Sequence, residues 1–147
     1  DTGVVIQWHI VGMFLPSLFV GKLIRKLGNI NVMLAGIFAL IVCISVSQIS
    51  QSFAGYWLSL VMLGVGWNFL FVSATALLIT CYKEAEKYRA QAFNDFLVFG
   101  FQAMASLSAG WLLSATSWKT INLLSLPVLA MLLVVIWWSK SKTADQL

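Results

Sequence analysis

The chain alternates between long runs of uncharged, mostly apolar residues and short charged segments. The uncharged runs cover residues 2–21, 27–82, 96–118 and 120–139. A helix needs about 20 residues to cross the roughly 30 Å hydrocarbon core of a bilayer. Each run is therefore long enough for one membrane crossing, and the second run is long enough for two.

A polar cluster at residues 48–52 interrupts the second run and predicts a tight turn between two helices. The pattern therefore predicts an all-α membrane protein with five transmembrane helices. Pro16 is expected to kink the first span, because proline lacks a backbone N–H donor. The predicted bundle occupies residues 1–139, residues 140–147 form a tail, and the spans cover residues 3–24, 31–50, 54–81, 91–115 and 120–139.

The composition agrees with this pattern. Of the 147 residues, 61% are hydrophobic and 10% are charged, whereas a soluble domain is about half apolar and about a quarter charged. So few charges cannot cover a water-facing surface, which argues against a soluble enzyme. The net charge of +4 does not indicate nucleic-acid binding, because the basic residues occupy short breaks between apolar runs and not one phosphate-tracking face. The indicated partner is the lipid bilayer.

The positions of the basic residues predict an orientation. Every Lys and Arg except Lys119 lies at or after the C-terminal end of the first, third or fifth predicted span. Lys and Arg near span ends are retained on the cytoplasmic side of a membrane. We therefore expect the N-terminus outside and the C-terminus in the cytoplasm.

Small and amide-bearing residues are concentrated in the first, third and fourth predicted spans. Such residues allow membrane helices to approach closely and to form hydrogen bonds with one another. We therefore expect these three spans to form the interior of the bundle, and the more aliphatic second and fifth spans to face lipid. The residues concerned are Gln7, Gly12, Gly64, Gly66, Asn68, Thr75, Gln102, Ser106 and Gly110.

The segment after the first predicted span has a glycine at each end and basic residues between them. It reads GKLIRKLG and contains Gly21, Leu23, Arg25, Lys26 and Gly28. The two glycines are expected to form a tight turn, since glycine permits positive φ. The segment resembles the loop motif G-x-L-x-D-R-x-G of the Major Facilitator Superfamily. Because Arg25 stands at the Asp position, it is most similar to the second, weaker copy of the motif, which follows the eighth helix in that family.

Further segments resemble the same family in the same order. Residues 64–71 resemble its tenth helix, residues 86–95 the loop into the eleventh helix, and residues 109–111 with Trp118 and Pro127 its last two helices. The resemblance implies a partial Major Facilitator Superfamily bundle, helices eight to twelve of a bacterial permease of the inner membrane. Such transporters have two six-helix halves that rock around a central cavity. Because the sequence starts with Asp and not Met, we expect a fragment that needs the missing N-terminal half of the transporter as a partner.

Two groups of polar residues near the middle of predicted spans are candidates for contact with a solute. Asn68 follows Trp67 near the centre of the third span and shares a helix face with Thr75. Gln102 and Ser106 share one face of the fourth span. A primary amide in hydrocarbon needs a hydrogen-bond partner. Solute contact and a hydrogen bond between helices are therefore both open for Asn68.

Arg89 and Asp95 form a candidate charge pair at the cytoplasmic boundary. Two alternatives are open for Asp95: a favourable interaction with the helix dipole at the N-terminal end of its helix, or a role in proton coupling. The chain has one histidine, no paired intramembrane acids and neither of the motifs G-x-S-x-G and H-E-x-x-H. We therefore expect no catalytic residue, no metal site and no cofactor.

The leading hypothesis is a fragment of a secondary active transporter that moves a small solute across the membrane by alternating access. The main alternative is a non-transporting membrane scaffold or assembly subunit that uses the same spans for helix packing. A third hypothesis is a small transporter built from two parallel copies of the chain.

Overall fold

The computed structural model describes the backbone of residues 2–144 and the side chains of residues 2–140, and every regular element in this range is helical. A 3-10 turn, Glu84–Glu86, precedes the fifth helix. The start of the predicted tail continues the last helix, and residues 145–147 lie outside the described range. The helices are α1 (Thr2–Phe14), α2 (Ser17–Leu27), α3 (Asn29–Ile49), α4 (Phe53–Ile79), α5 (Lys87–Ala115), α6 (Trp118–Leu124) and α7 (Leu126–Ala144).

Four helical segments in the described part of the chain are long and apolar enough to cross a membrane. They are α3, α4, Glu84–Ala115 and Trp118–Lys140. A fifth span results when α1 and α2 are counted as one helix bent by 41°. The bend falls at Pro16, whose missing N–H interrupts the helical hydrogen bonds. The chain is therefore an all-α, multi-pass membrane protein, and the predicted kink is present.

The connection from α2 to α3 is a one-residue turn. Gly28 has a φ of 82°, a conformation that glycine adopts readily, and its N–H donates to the carbonyl oxygen of Ile24. Gly21 lies inside α2. The prediction that both glycines form the turn is therefore wrong for Gly21. One glycine costs a helix only about 1 kcal/mol, so the residues around it keep that stretch helical.

α3 and α4 form a helical hairpin, and the serines of the predicted turn close it. Ser52 Oγ accepts a hydrogen bond from the N–H of Gly55 at 3.2 Å and lies 2.9 Å from the hydroxyl of Ser50, so Ser52 caps α4. The two helices approach closely at their glycines. A Cβ atom placed on Gly36 would lie 3.0 Å from the carbonyl oxygen of Gly66.

The expected division into interior and lipid-facing spans does not hold within the described residues. α5 was expected in the interior and has no buried residue, whereas α3 was expected to face lipid and has more buried residues than α1, α2 or α4. Small side chains such as Gly36 and Ala39 allow α3 to fit closely against α4. The expected close approach of the first and third spans is present at Gly12 and Gly64, but the expectation did not count the small residues of the second span.

Candidate functional site

The contact between α1 and α4 combines a close glycine crossing with polar groups on both sides of it. A Cβ atom on Gly64 would lie 2.5 Å from the carbonyl oxygen of His9 and 3.0 Å from the carbonyl carbon of Gly12. Larger residues would keep the two backbones apart. One turn before Gly64, the carbonyl oxygen of Leu60 lies 2.7 Å from His9 Nδ1. Since a carbonyl only accepts, Nδ1 carries the proton in this contact.

Asn68 lies on the other side of the glycine crossing and joins three helices. Its side chain is buried, and Nδ2 donates to the carbonyl oxygen of Met13 at 2.6 Å and to Ser17 Oγ at 2.5 Å. These two partners flank Pro16, so one amide bridges α1 and α2 across their bend. Asn68 Oδ1 is buried and has no partner in the described part of the chain. The sequence left solute contact and a hydrogen bond to another helix both open for Asn68. It did not predict the partners, because the Pro16 bend brings them together.

Trp67 and Phe71 stack on one another along α4. Their ring centroids are 4.5 Å apart, their planes differ by 22°, and both side chains are half-buried. The hydroxyl of Thr75 donates to the carbonyl oxygen of Phe71 at 2.9 Å, so it serves its own helix. Trp67 therefore contributes a flat aromatic surface, while the donor groups of Asn68 and Thr75 are already bonded within the bundle.

The second candidate group lies apart from the first. Gln102 and Ser106 are exposed on α5 and form no hydrogen bond within residues 2–140. α5 packs against α6 and the Glu84–Glu86 turn and has no extensive contact with α4. The structure therefore does not bring Gln102 and Ser106 together with Trp67 and Asn68.

The segment between α4 and α5 is fixed by local contacts. Lys87 Nζ lies 3.3 Å from Glu84 Oε1, and Gln91 Nε2 donates to the hydroxyl of Tyr82 at 2.8 Å. The bond between Tyr82 and Gln91 was not expected from the sequence. No motif or helical spacing marks this pair, since the two residues face each other across a loop.

The structure does not join Arg89 to Asp95. Both residues are exposed, and they form no ion pair with each other in the described structure. Residues six apart on one helix point about 120° away from each other. Asp95 also lies beyond the first turn of α5, outside the region in which the helix dipole stabilises a carboxylate. Its Oδ1 atom instead accepts a hydrogen bond from Asn94 at 3.3 Å.

The basic end of α2 has no acidic partner among the residues that the structure describes. Lys22, Arg25 and Lys26 are exposed and form no ion pair there. Leu23 is half-buried and lines a cleft between α2 and α4. Within the same residues, no group of three His, Cys, Asp or Glu side chains is placed to hold a metal ion.

Comparison with protein families agrees with this all-helical membrane architecture. The family model of the Major Facilitator Superfamily matches residues 2–146. The chain belongs to the Major Facilitator Superfamily. Its bent first span, glycine crossings and basic connection are thus features of a transporter-family bundle.

Curated bacterial members of the superfamily are similar to most of the chain. The riboflavin transporter RfnT of Brucella anthropi is 41% identical over 129 residues, which cover 88% of the chain and 32% of that protein. Two uncharacterized MFS-type transporters of Bacillus subtilis also match: YddS is 34% identical over 94% of the chain and 32% of its own length. YdeG is 28% identical over 95% of the chain and 33% of its own length. The chain spans about a third of the length of these relatives, and no solved structure matches it.

Proposed function

We propose that the chain forms part of a secondary transporter that moves a small solute across a membrane by alternating access. The observation that carries this proposal is the family match over residues 2–146, supported by relatives that are named as transporters. Those relatives are about three times as long. The resemblance of residues 21–28 to the loop after the eighth helix supports assigning the chain to helices eight to twelve. The remaining helices, including the N-terminal half, then complete the solute pathway, and the protein works as a transporter and not as an enzyme.

We propose riboflavin, or a similar planar heteroaromatic compound, as the solute. The chain is 41% identical to the riboflavin transporter RfnT over 88% of its length. Trp67, stacked on Phe71, offers a flat surface for such a ring system, and aromatic stacking adds about 0.5–1.5 kcal/mol beyond burial. Gln102 and Ser106 lie apart from Trp67 within the described residues. In the proposal, the remaining helices of the transporter complete the cavity, and these two exposed side chains then offer hydrogen bonds to ring carbonyl and nitrogen atoms.

In the proposal, Asn68 and Thr75 position this site through hydrogen bonds within the bundle and do not contact the solute. The amide of Asn68 ties α4 to α1 and α2, and the hydroxyl of Thr75 is bonded to the backbone beside the Trp67–Phe71 stack. In the proposal they position the aromatic pair, while Trp67 contacts the solute.

We propose a location in the bacterial inner membrane, with the N-terminus outside and the C-terminus in the cytoplasm. The distribution of Lys and Arg supports this orientation, since all but Lys119 follow the same ends of the spans. The basic end of α2 and the exposed residues Arg89 and Asp95 then lie at the cytoplasmic face. There these charged side chains can form different ion pairs and hydrogen bonds as the two halves of the transporter rock. In the proposal, this change of contacts is their gating role.

Uptake of radiolabelled riboflavin into proteoliposomes tests the solute. The complete polypeptide that carries residues 1–147 should show saturable uptake. Trp67→Leu should raise the KM about two- to tenfold, as expected for the loss of one stacking contact. Trp137→Leu is the matched control, because Trp137 is 76% exposed on α7, a helix that carries no proposed solute contact. The KM of this variant should stay unchanged. Saturable uptake of other solutes without riboflavin would reject the solute, and an absence of any saturable uptake would reject transport.

The need for the remaining helices is tested with residues 1–147 alone. Vesicles that contain only these residues should show no saturable uptake, because the assigned helices form only part of a cavity. Robust uptake would contradict this assignment, and cross-linked dimers in the same vesicles would then favour a transporter built from two copies of the chain.

A further inference from the structure

The cleft between α2 and α4 combines apolar walls with two lysines at one end. It has a volume of about 450 Å³. Leu15 and Pro16 lie at the bend, Phe19 and Phe69 contribute aromatic walls, and Lys22 and Lys26 lie at the charged end. An apolar cleft with cations at one end is complementary to a molecule that has a hydrocarbon tail and an anionic head group.

The length of the cleft matches one leaflet of a bilayer. From Leu15 to Lys26 the helix rises about 16 Å at 1.5 Å per residue, and half of a 30 Å hydrocarbon core is about 15 Å. Pro16 lies near the middle of the first predicted span, and Lys22 and Lys26 lie at its charged end. The cleft therefore runs from the middle of the membrane to the headgroup level.

The charge at this end of the cleft is unneutralised within the described residues. Lys22 and Lys26 lie one turn apart on α2, both are exposed, and neither forms an ion pair there. Basic residues at headgroup depth attract anionic lipids. A second cleft, lined by Val5, Tyr56 and Trp118 among others, has no charged residue in its wall. A cleft beside α7 is also mostly apolar and has one cation, Lys140, in its wall. The presence of two cations therefore distinguishes the cleft at α2 from both.

We propose that this cleft binds one anionic phospholipid. The phosphate lies between Lys22 and Lys26, and one acyl chain packs against Phe19 and Phe69. The chain end fills the space beside Pro16, so the bound lipid stabilises the bent arrangement of α1 and α2. The site depends neither on the transported solute nor on which face of the membrane carries the lysines.

Native mass spectrometry of the complete polypeptide tests this site. The protein is released from detergent containing phosphatidylglycerol or phosphatidylcholine with identical acyl chains, and retained lipid is counted. Phosphatidylglycerol should be retained preferentially. Lys22→Gln and Lys26→Gln should each weaken its binding about fivefold, the effect of one basic residue near an anionic surface. Arg25→Gln is the matched control, because Arg25 is a cation of the same helix that does not line the cleft.

The apolar wall is tested separately from the charge. Phe19→Ala should weaken phosphatidylglycerol binding, whereas Leu18→Ala should not, since Leu18 is 70% exposed and lies outside the cleft. Full displacement by inorganic phosphate would show that the lysines take a free anion, and would overturn the proposal.

Three further results would also overturn the proposal. Equal retention of both lipids would show that no headgroup is selected. An equal loss in Arg25→Gln would indicate a diffuse surface charge effect. A photo-reactive residue at position 69 that attaches to another protein segment, and not to lipid, would show that protein fills the cleft.

Discussion

A single methyl group at position 64 should force α1 away from α4. Built on the backbone, the Cβ atom of Gly64→Ala would lie 2.5 Å from the carbonyl oxygen of His9, 2.9 Å from the backbone nitrogen of Met13 and 3.0 Å from the carbonyl carbon of Gly12. All three neighbours are backbone atoms, so no side-chain rotation can relieve the contact. The helices must therefore separate at their closest point.

The expected magnitude follows from three terms. Overpacking of a close contact costs about 1–3 kcal/mol. Separation also lengthens the hydrogen bonds from His9 to Leu60 and from Asn68 to Met13, and each interhelical bond in a membrane contributes about 0.6 kcal/mol. Against this, alanine is about 1 kcal/mol more favourable than glycine inside a helix. The net expectation for Gly64→Ala is a loss of about 1–3 kcal/mol.

Unfolding of the purified 147-residue chain by sodium dodecyl sulfate in mixed micelles, followed by circular dichroism, measures this loss. Gly100→Ala is the matched control, because a Cβ on Gly100 would meet nothing within 4 Å. It should leave stability unchanged or raise it by up to about 1 kcal/mol. Equal stability of Gly64→Ala and the unchanged chain, or an equal loss in Gly100→Ala, would refute the close glycine crossing as a source of stability.

Three more predictions use the same structure. Asn68→Leu should destabilise the chain by about 1–3 kcal/mol in the same unfolding assay, because the carbonyl oxygen of Met13 loses its side-chain donor. Ser17→Ala should destabilise the chain less, since only one hydroxyl contact is lost. A larger loss in Ser17→Ala than in Asn68→Leu would contradict the role of Asn68 in joining α4 to α1 and α2. Ser52→Ala should destabilise by about 1 kcal/mol through loss of the α4 cap, and an unchanged denaturation midpoint would rule the cap out as a stabilising contact. A cysteine introduced at position 85, in a variant without Cys43 and Cys81, tests the orientation. It should react with a membrane-impermeant maleimide only after the cells are permeabilised. Labelling in intact cells would show that the orientation is opposite to the proposed one.

The hydrophobic pattern was enough to predict four to five helices long and apolar enough to cross a membrane, because a membrane helix must satisfy its backbone internally and present an apolar surface of fixed length. Proline chemistry likewise predicted the bend at Pro16. Gly21 was assigned wrongly because glycine permits a turn without requiring one. No sequence pattern pointed to the two partners of the Asn68 amide, since Met13 and Ser17 approach it only after α1 and α2 have bent and packed.

The candidate polar residues of α4 and α5 differ in their hydrogen bonding, and this difference bears on the proposed transport. On α4, Asn68 and Thr75 have donated their hydrogen bonds within the bundle, and the glycine crossings at Gly36–Gly66 and Gly12–Gly64 tie α4 to two neighbours. On α5, Gln102 and Ser106 form no hydrogen bond within residues 2–140. A Cβ atom on Gly100 or Gly110 would meet nothing within 4 Å. A bundle that is fixed through its backbone can move only as one body. In the proposed transporter, we therefore expect α1, α3 and α4 to move together, and the contacts that change to involve the face of α5 that carries Gln102 and Ser106.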